Sequence, residues 1–71
     1  MFEQEHLIKI ARTKMPFGKY AGRVLIDLPE EYLLWFEKKE FPSGELGLLM
    51  ALCLEIKREG LTYLITPLKE S

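Results

Sequence analysis

The sequence predicts a small α+β domain that is mostly helical, with an N-terminal helix, a β-hairpin, two further helices and a short C-terminal strand or turn. Three observations support this prediction: helical apolar spacing, a glycine-rich aromatic segment and one long apolar run. The chain has 71 residues, which is enough for one hydrophobic core. We therefore expect a single domain that spans residues 1–71.

The N-terminal helix is predicted over residues 2–13. Phe2, His6 and Ile10 recur every four residues, a spacing that places side chains on one face of a helix. Pro16 disfavours helical geometry at the residue before it, so the helix should end there. The following segment, residues 15–26, contains Gly18, an aromatic pair, Gly22 and an apolar run, a pattern that predicts a tight β-hairpin.

The second helix is predicted to begin near Pro29, because proline suits the first helical position. Glu30 and Glu31 in its first turn complement the helix dipole. One face carries an apolar, mostly aromatic stripe that we expect to pack on the hairpin. Its members are Leu28, Tyr32, Trp35 and Phe36.

Residues 43–59 predict a third helix that is apolar on every side over most of its length. Ser43 is a suitable N-cap and Gly60 a suitable stop. A helix without a polar face must be covered all round, and a chain this short offers few elements to cover it. We therefore expect a homodimer through one face of this helix, formed by Leu48, Ala51, Leu52 and Glu55. Residues 60–71 alternate loosely and favour a short strand over a helical turn.

Catalytic, metal and membrane roles are not predicted. Cys53 is the only cysteine, and it lies far in sequence from His6, without the paired spacing of zinc sites. Gly18-Lys19 lacks the Ser or Thr that a phosphate-binding loop places next. The longest apolar run has nine residues, against the ~20 of a membrane-spanning helix. The acidic start is unlike a signal peptide. We expect a cytoplasmic protein that is not an enzyme and has no metal or cofactor.

The charges divide the chain into a basic third and an acidic remainder. Between residues 6 and 26 every charged side chain is positive, whereas residues 27–71 carry five basic and nine acidic side chains. Positive charge interleaved with aromatic rings is typical of proteins that hold single-stranded nucleic acid. The candidate nucleic-acid-binding residues are Lys14, Phe17, Lys19, Tyr20 and Arg23. Alternatively, the rings pack beneath Trp35 and the cations are solvated or pair with Glu30 and Glu31.

Three short motifs carry a resemblance to a known family. These are the segment from Met15 to Arg23, which reads MPFGKYAGR, the pair Leu28-Pro29, and YLLWF from Tyr32 to Phe36. Together with the later Gly60-Leu61 and Tyr63-Leu64, they resemble a small bacterial family of uncharacterised proteins described as "putative quorum-sensing-regulated virulence factor". The similarity covers most of the chain. The description concerns regulation, so no catalytic residue can be carried over from it.

A similar FGKYKG-LP-YLxW segment resembles the small C-terminal module of some exonuclease-X-type DNA exonucleases. This resemblance implies a module that helps to hold DNA, although Ala21 stands here where the motif usually has a second lysine. We therefore expect a non-catalytic accessory module that binds nucleic acid weakly. The alternative is a protein-interaction or regulatory adaptor, associated with quorum sensing, that uses the hydrophobic helix 43–59 or the acidic C-terminal half.

Overall fold

A computed structural model describes residues 3–69 and shows a helical fold. Three α-helices lie in this range: α1 (Gln4–Arg12), α2 (Glu30–Lys39) and α3 (Gly44–Arg58). Short 3-10 turns complete it, at Leu25–Asp27, Thr62–Leu64 and Thr66–Leu68. Both α1 and α2 pack on α3, so α3 lies at the centre of the core.

The predicted α+β class is wrong, because residues 3–69 contain no β-sheet. The expected hairpin is reduced to one isolated antiparallel bridge between Lys14 and Val24. Gly18 and Gly22 both have positive φ and turn the chain back before two strands can extend. Pro16 has no N–H to donate to a ladder. We call residues 13–24 the basic loop.

The short strand that was favoured for the C-terminal segment is also wrong, and the alternative of a helical turn is observed. Residues 62–68 form two successive 3-10 turns, which place Ile65 fully in the core and Leu68 half-buried against it. Pro67 stands at the start of the second turn, where its missing N–H removes no hydrogen bond. Residues 70 and 71 of the expected segment lie outside the described residues.

The N-terminal helix ends at Arg12, one residue before the predicted end at residue 13. Thr13 is extended, and its N–H donates to the Lys9 carbonyl over 2.7 Å. The carbonyl of Thr13 accepts the Leu25 N–H beside the isolated bridge, so this pairing ends the helix. Ile10 is buried as the pattern predicts, and Phe2 lies outside the described residues.

Most of α3 is covered within one molecule. Its buried residues are Gly47, Leu49, Met50, Cys53, Leu54 and Ile56, whereas the side chain of Leu48 is 55% exposed. The helix ends in a hydrogen-bonded Schellman motif at Gly60, as predicted: the Gly60 N–H donates to Lys57 and the Leu61 N–H to Ile56. Within residues 3–69, none of the helices is both long enough and apolar enough to cross a bilayer.

Candidate nucleic-acid interface

The basic loop is held at its base and exposed at its tip. Met15 is buried, and its N–H and carbonyl bond to the Arg23 carbonyl and the Gly22 N–H over 2.7 and 2.9 Å. Two turn hydrogen bonds close the tip, from the Ala21 N–H to Gly18 and from the Arg23 N–H to the carbonyl of residue 20. The side chains between residues 16 and 23 therefore face the surface, and only residue 20 is half-buried.

Gly18 lets the loop cross directly over α2. Its φ is 81°, and a Cβ at this position would lie 2.8 Å from the hydroxyl oxygen of Tyr32. A residue with a side chain would therefore be strained in its backbone and would also press on the Tyr32 ring. This close approach fixes the loop against α2 at one point.

Four aromatic rings run from the loop onto α2, and we call them the ring column. Tyr20 and Tyr32 meet edge-to-face with centroids 4.7 Å apart. Phe36 follows at 5.1 Å from Tyr32, and Trp35 lies 5.1 Å from Phe36, again edge-to-face. These spacings are favourable for aromatic pairs. The predicted packing of the aromatic stripe on this segment is thus observed through Tyr32, while Trp35 stays 53% exposed.

Two cations of the loop converge on one ring of the column. The Lys19 Nζ lies 5.6 Å and the Arg23 Cζ 5.2 Å from the Tyr20 centroid, within the range of cation–π attraction. The structure therefore brings together Lys19, Tyr20 and Arg23 of the predicted set. Lys14 and Phe17 are exposed on the same loop outside this cluster, and Phe17 is 44% exposed.

Three cations elsewhere in the described fold are paired with carboxylates. Lys9 lies 2.5 Å from Glu45, and equally close pairs of 2.6 Å join Arg58 to Glu37 and Lys69 to Asp27. None of the ion pairs formed among residues 3–69 involves Lys14, Lys19 or Arg23. In the part of the chain that the structure describes, Glu30 and Glu31 therefore do not neutralise the loop.

Tyr32 was not among the predicted site residues, although it supports Tyr20 and limits the side chain at position 18. The sequence indicated this role only through the place of Tyr32 on the aromatic stripe, which was expected to pack on the loop. The structure adds that Tyr32 positions the Tyr20 ring, on which the two cations converge.

Cys53 is unsuited to metal or covalent chemistry. The side chain is fully buried in α3, and burial raises the pKa of its thiol to about 12, with a smaller opposing effect of the Lys57 charge. The thiol is therefore protonated at neutral pH. Among residues 3–69, no group of three or more His, Cys, Asp or Glu side chains could hold a metal ion.

The face of α3 that was predicted to form a homodimer is partly open. Leu48 and Glu55 are exposed, while Ala51 and Leu52 are half-buried. The homodimer stays a prediction, because this surface is seen in a single chain.

The fold and the loop together define a class: a small helical protein that carries a basic, aromatic surface loop on its second helix. More particularly, the chain belongs to the family described as "Putative quorum-sensing-regulated virulence factor", which it matches over residues 3–68. The family resemblance drawn from the FGKYAGR, LP and YLLWF motifs is thereby confirmed.

Two curated relatives are highly similar to the chain. Both are named "Uncharacterized protein YpeB", one from Escherichia coli (strain K12) and one from Escherichia coli O157:H7. Each is 69% identical over 68 residues, which is 94% of this chain and 94% of the relative. No solved structure matches the chain.

Proposed function

We propose that this protein is a non-catalytic accessory module that binds nucleic acid weakly through the basic loop. The contacting residues would be Lys14, Phe17, Lys19, Tyr20 and Arg23. The single observation that carries the proposal is the convergence of Lys19 and Arg23 on the Tyr20 ring, with no carboxylate paired to either among the described residues.

The geometry favours an anionic, ring-bearing ligand. The two cations can contact phosphates, because both lie within 6 Å of the Tyr20 ring centre and are open to solvent. Phe17 offers an exposed ring on which a base can stack. Only a few phosphates are within reach of a loop this small, so we expect the micromolar or weaker affinity of non-specific binding.

We infer that the role is binding without catalysis and that the protein works in the cytoplasm. The buried, protonated Cys53 supports the first inference, because only a thiolate is an effective nucleophile. It supports the second as well, since a lone cysteine without a disulfide partner suits a reducing compartment.

The proposal is tested by fluorescence anisotropy with labelled single-stranded and duplex DNA at low salt. We expect saturable binding that weakens steeply with salt, because each phosphate contact releases counterions. Lys19→Ala and Arg23→Ala should each weaken binding. For a single strand, the double variant should lower the slope of log K against log salt by about 1.4, at about 0.7 per phosphate contact.

Lys57→Ala is the matched control, because it removes a cation of the last turn of α3 that forms no ion pair within residues 3–69 and does not belong to the basic loop. If Lys57→Ala weakens binding as much as Lys19→Ala, the loop is not the site. If the unmodified protein shows no binding at tens of micromolar concentration at low salt, the proposed function is wrong.

A second candidate is a protein-interaction or regulatory adaptor that uses the open face of α3. The observation that favours it is Leu48, an apolar side chain that is 55% exposed on α3, one turn before the half-buried Ala51 and Leu52. Size-exclusion chromatography with light scattering tests the homodimer form of this candidate. A dimer that Leu48→Glu dissociates would support it, and a species of 8.3 kDa at high concentration would contradict it.

A further inference from the structure

The ring column ends at a tryptophan that the fold leaves open. Trp35 contacts Phe36 edge-to-face, so one ring edge is fixed by packing while 53% of the residue remains exposed. It lines an open groove on α2 together with Leu34 and Lys38. A large aromatic side chain held at one edge and open elsewhere is suited to stack on a ligand ring.

Two further cations flank this tryptophan. Lys38 and Lys39 follow Trp35 by three and four residues, the spacing at which helix side chains are neighbours. Both are exposed, and none of the ion pairs among residues 3–69 involves either of them. Lys39 is also seven residues beyond Tyr32 and so lies on the same side of α2 as the ring that meets the loop.

Two carboxylates near Trp35 would repel an anion, but a cation already pairs with one of them. Glu37 lines the same groove, but it pairs with Arg58 of α3 over 2.6 Å. Glu31 lies one turn before Trp35 and has no cation paired to it within the described range. Lys38 and Lys39 are therefore the two cations that lie within one helical turn of Trp35 on α2.

We propose that the ligand is single-stranded nucleic acid, and that a strand held at the basic loop continues along α2 and stacks a base on Trp35. This inference rests on the proposed function and deepens it. The strand would follow the ring column from Phe17 and Tyr20, with Lys38 and Lys39 meeting its phosphates. The strand would thus meet two exposed rings, Phe17 of the loop and Trp35 of α2.

Single strands are favoured over duplex because an exposed ring needs an unstacked base. Bases in a duplex are stacked on each other, and their faces are closed to a protein ring. The longest extent of the described chain is 30 Å, so an oligonucleotide of about 10 nucleotides should saturate the path, within the range of known single-strand sites.

Trp35 is the only tryptophan in the chain, so tryptophan fluorescence reports on this site alone. Titration with an oligothymidylate of about 10 nucleotides should quench its fluorescence in step with the anisotropy change. Excitation at the red edge of the indole absorption separates this signal from the tyrosines. A duplex of the same length should bind less tightly and quench less.

Trp35→Leu should lower the affinity for the oligothymidylate by about 5- to 100-fold, the effect of removing one stacked ring. The matched control is Tyr63→Leu, which removes a 66% exposed ring from the C-terminal turns. Lys39→Ala should weaken binding and reduce its salt dependence. Glu31→Gln should strengthen binding, because it removes a negative charge beside the path.

Each outcome separates this inference from the proposed function. If the oligothymidylate binds by anisotropy but leaves the Trp35 fluorescence unchanged, or if Trp35→Leu binds as tightly as Tyr63→Leu, the strand does not reach α2 and the inference is wrong. The same holds if duplex binds equally well. If no oligonucleotide binds at all, the proposed function fails, and Trp35 becomes a candidate contact for a protein partner.

Discussion

In α3, six of fifteen residues are buried, and its Gly47 lies where the helix presses against the backbone of the preceding connection. In the basic loop, the side chains from residue 16 to residue 23 are exposed or half-buried, and the two glycines serve to turn the backbone. The residue types in α3 follow from packing, because each buried side chain fills the core.

The cations of the loop have no comparable structural explanation. Lys9, Arg58 and Lys69 each pair with a carboxylate of another element, whereas Lys19 and Arg23 lie beside a ring and face solvent. Exposed charges of this kind contribute little to folding stability. Packing thus explains the residue types of α3, whereas ion pairing within residues 3–69 does not explain the cations of the loop.

Gly47→Ala should have the largest effect on stability. An added Cβ would overlap the carbonyl oxygen of Pro42, and a backbone atom cannot move aside cheaply. We expect a loss of about 3 kcal/mol in the free energy of unfolding, at the upper end for overpacking, measured by urea denaturation. Gly22→Ala is the control, because its Cβ would meet nothing within 4 Å. Equal losses in the two variants would contradict the close packing of α3.

Gly18→Ala should have an intermediate effect, because it combines positive-φ strain with contact on the Tyr32 hydroxyl. We expect a loss of about 2 kcal/mol, against about 1 kcal/mol for Gly22→Ala, where the strain acts alone. Adding Tyr32→Phe to Gly18→Ala removes the hydroxyl and should recover part of the loss. No recovery in this double-mutant cycle would mean that the loop does not cross α2 at this point.

The helices could be predicted from the sequence because their signals are local. Pro29 with two following carboxylates marks the start of α2, and Gly60 marks the end of α3. The hairpin could not be predicted correctly, because a glycine-rich turn between apolar residues looks the same whether one bridge or a full ladder forms. Its outcome depends on Gly18 meeting Tyr32, a contact between residues fourteen positions apart.

The residue types of the candidate site could be predicted from the sequence, but their arrangement in space could not. The charge division of the chain indicated which residues are basic and aromatic together. It could not show that Lys19 and Arg23 share one ring. The helical spacing of Lys38 and Lys39 from Trp35 could be seen in the sequence, but the exposure of Trp35 could not.

The smallest effect on stability should come from the ion pair of Lys9 and Glu45, which links α1 to α3. Lys9 differs in this pairing from the cations of the loop. The hydrogen bond from Lys9 lowers the pKa of Glu45 below 4.5, and the same bond raises the pKa of Lys9 above 10.5. The contribution of Glu45 to stability is therefore present above pH 4.5 and lost as the pH falls through its folded-state pKa.

Glu45→Gln should lower the free energy of unfolding slightly at neutral pH and not in acid, measured by urea denaturation at both pH values. Glu55→Gln, which changes an exposed carboxylate outside the observed ion pairs, should show no such pH dependence. The same pH dependence in both variants would mean that α3 carboxylates act through general charge, and the contrast between paired and unpaired cations would lose its support.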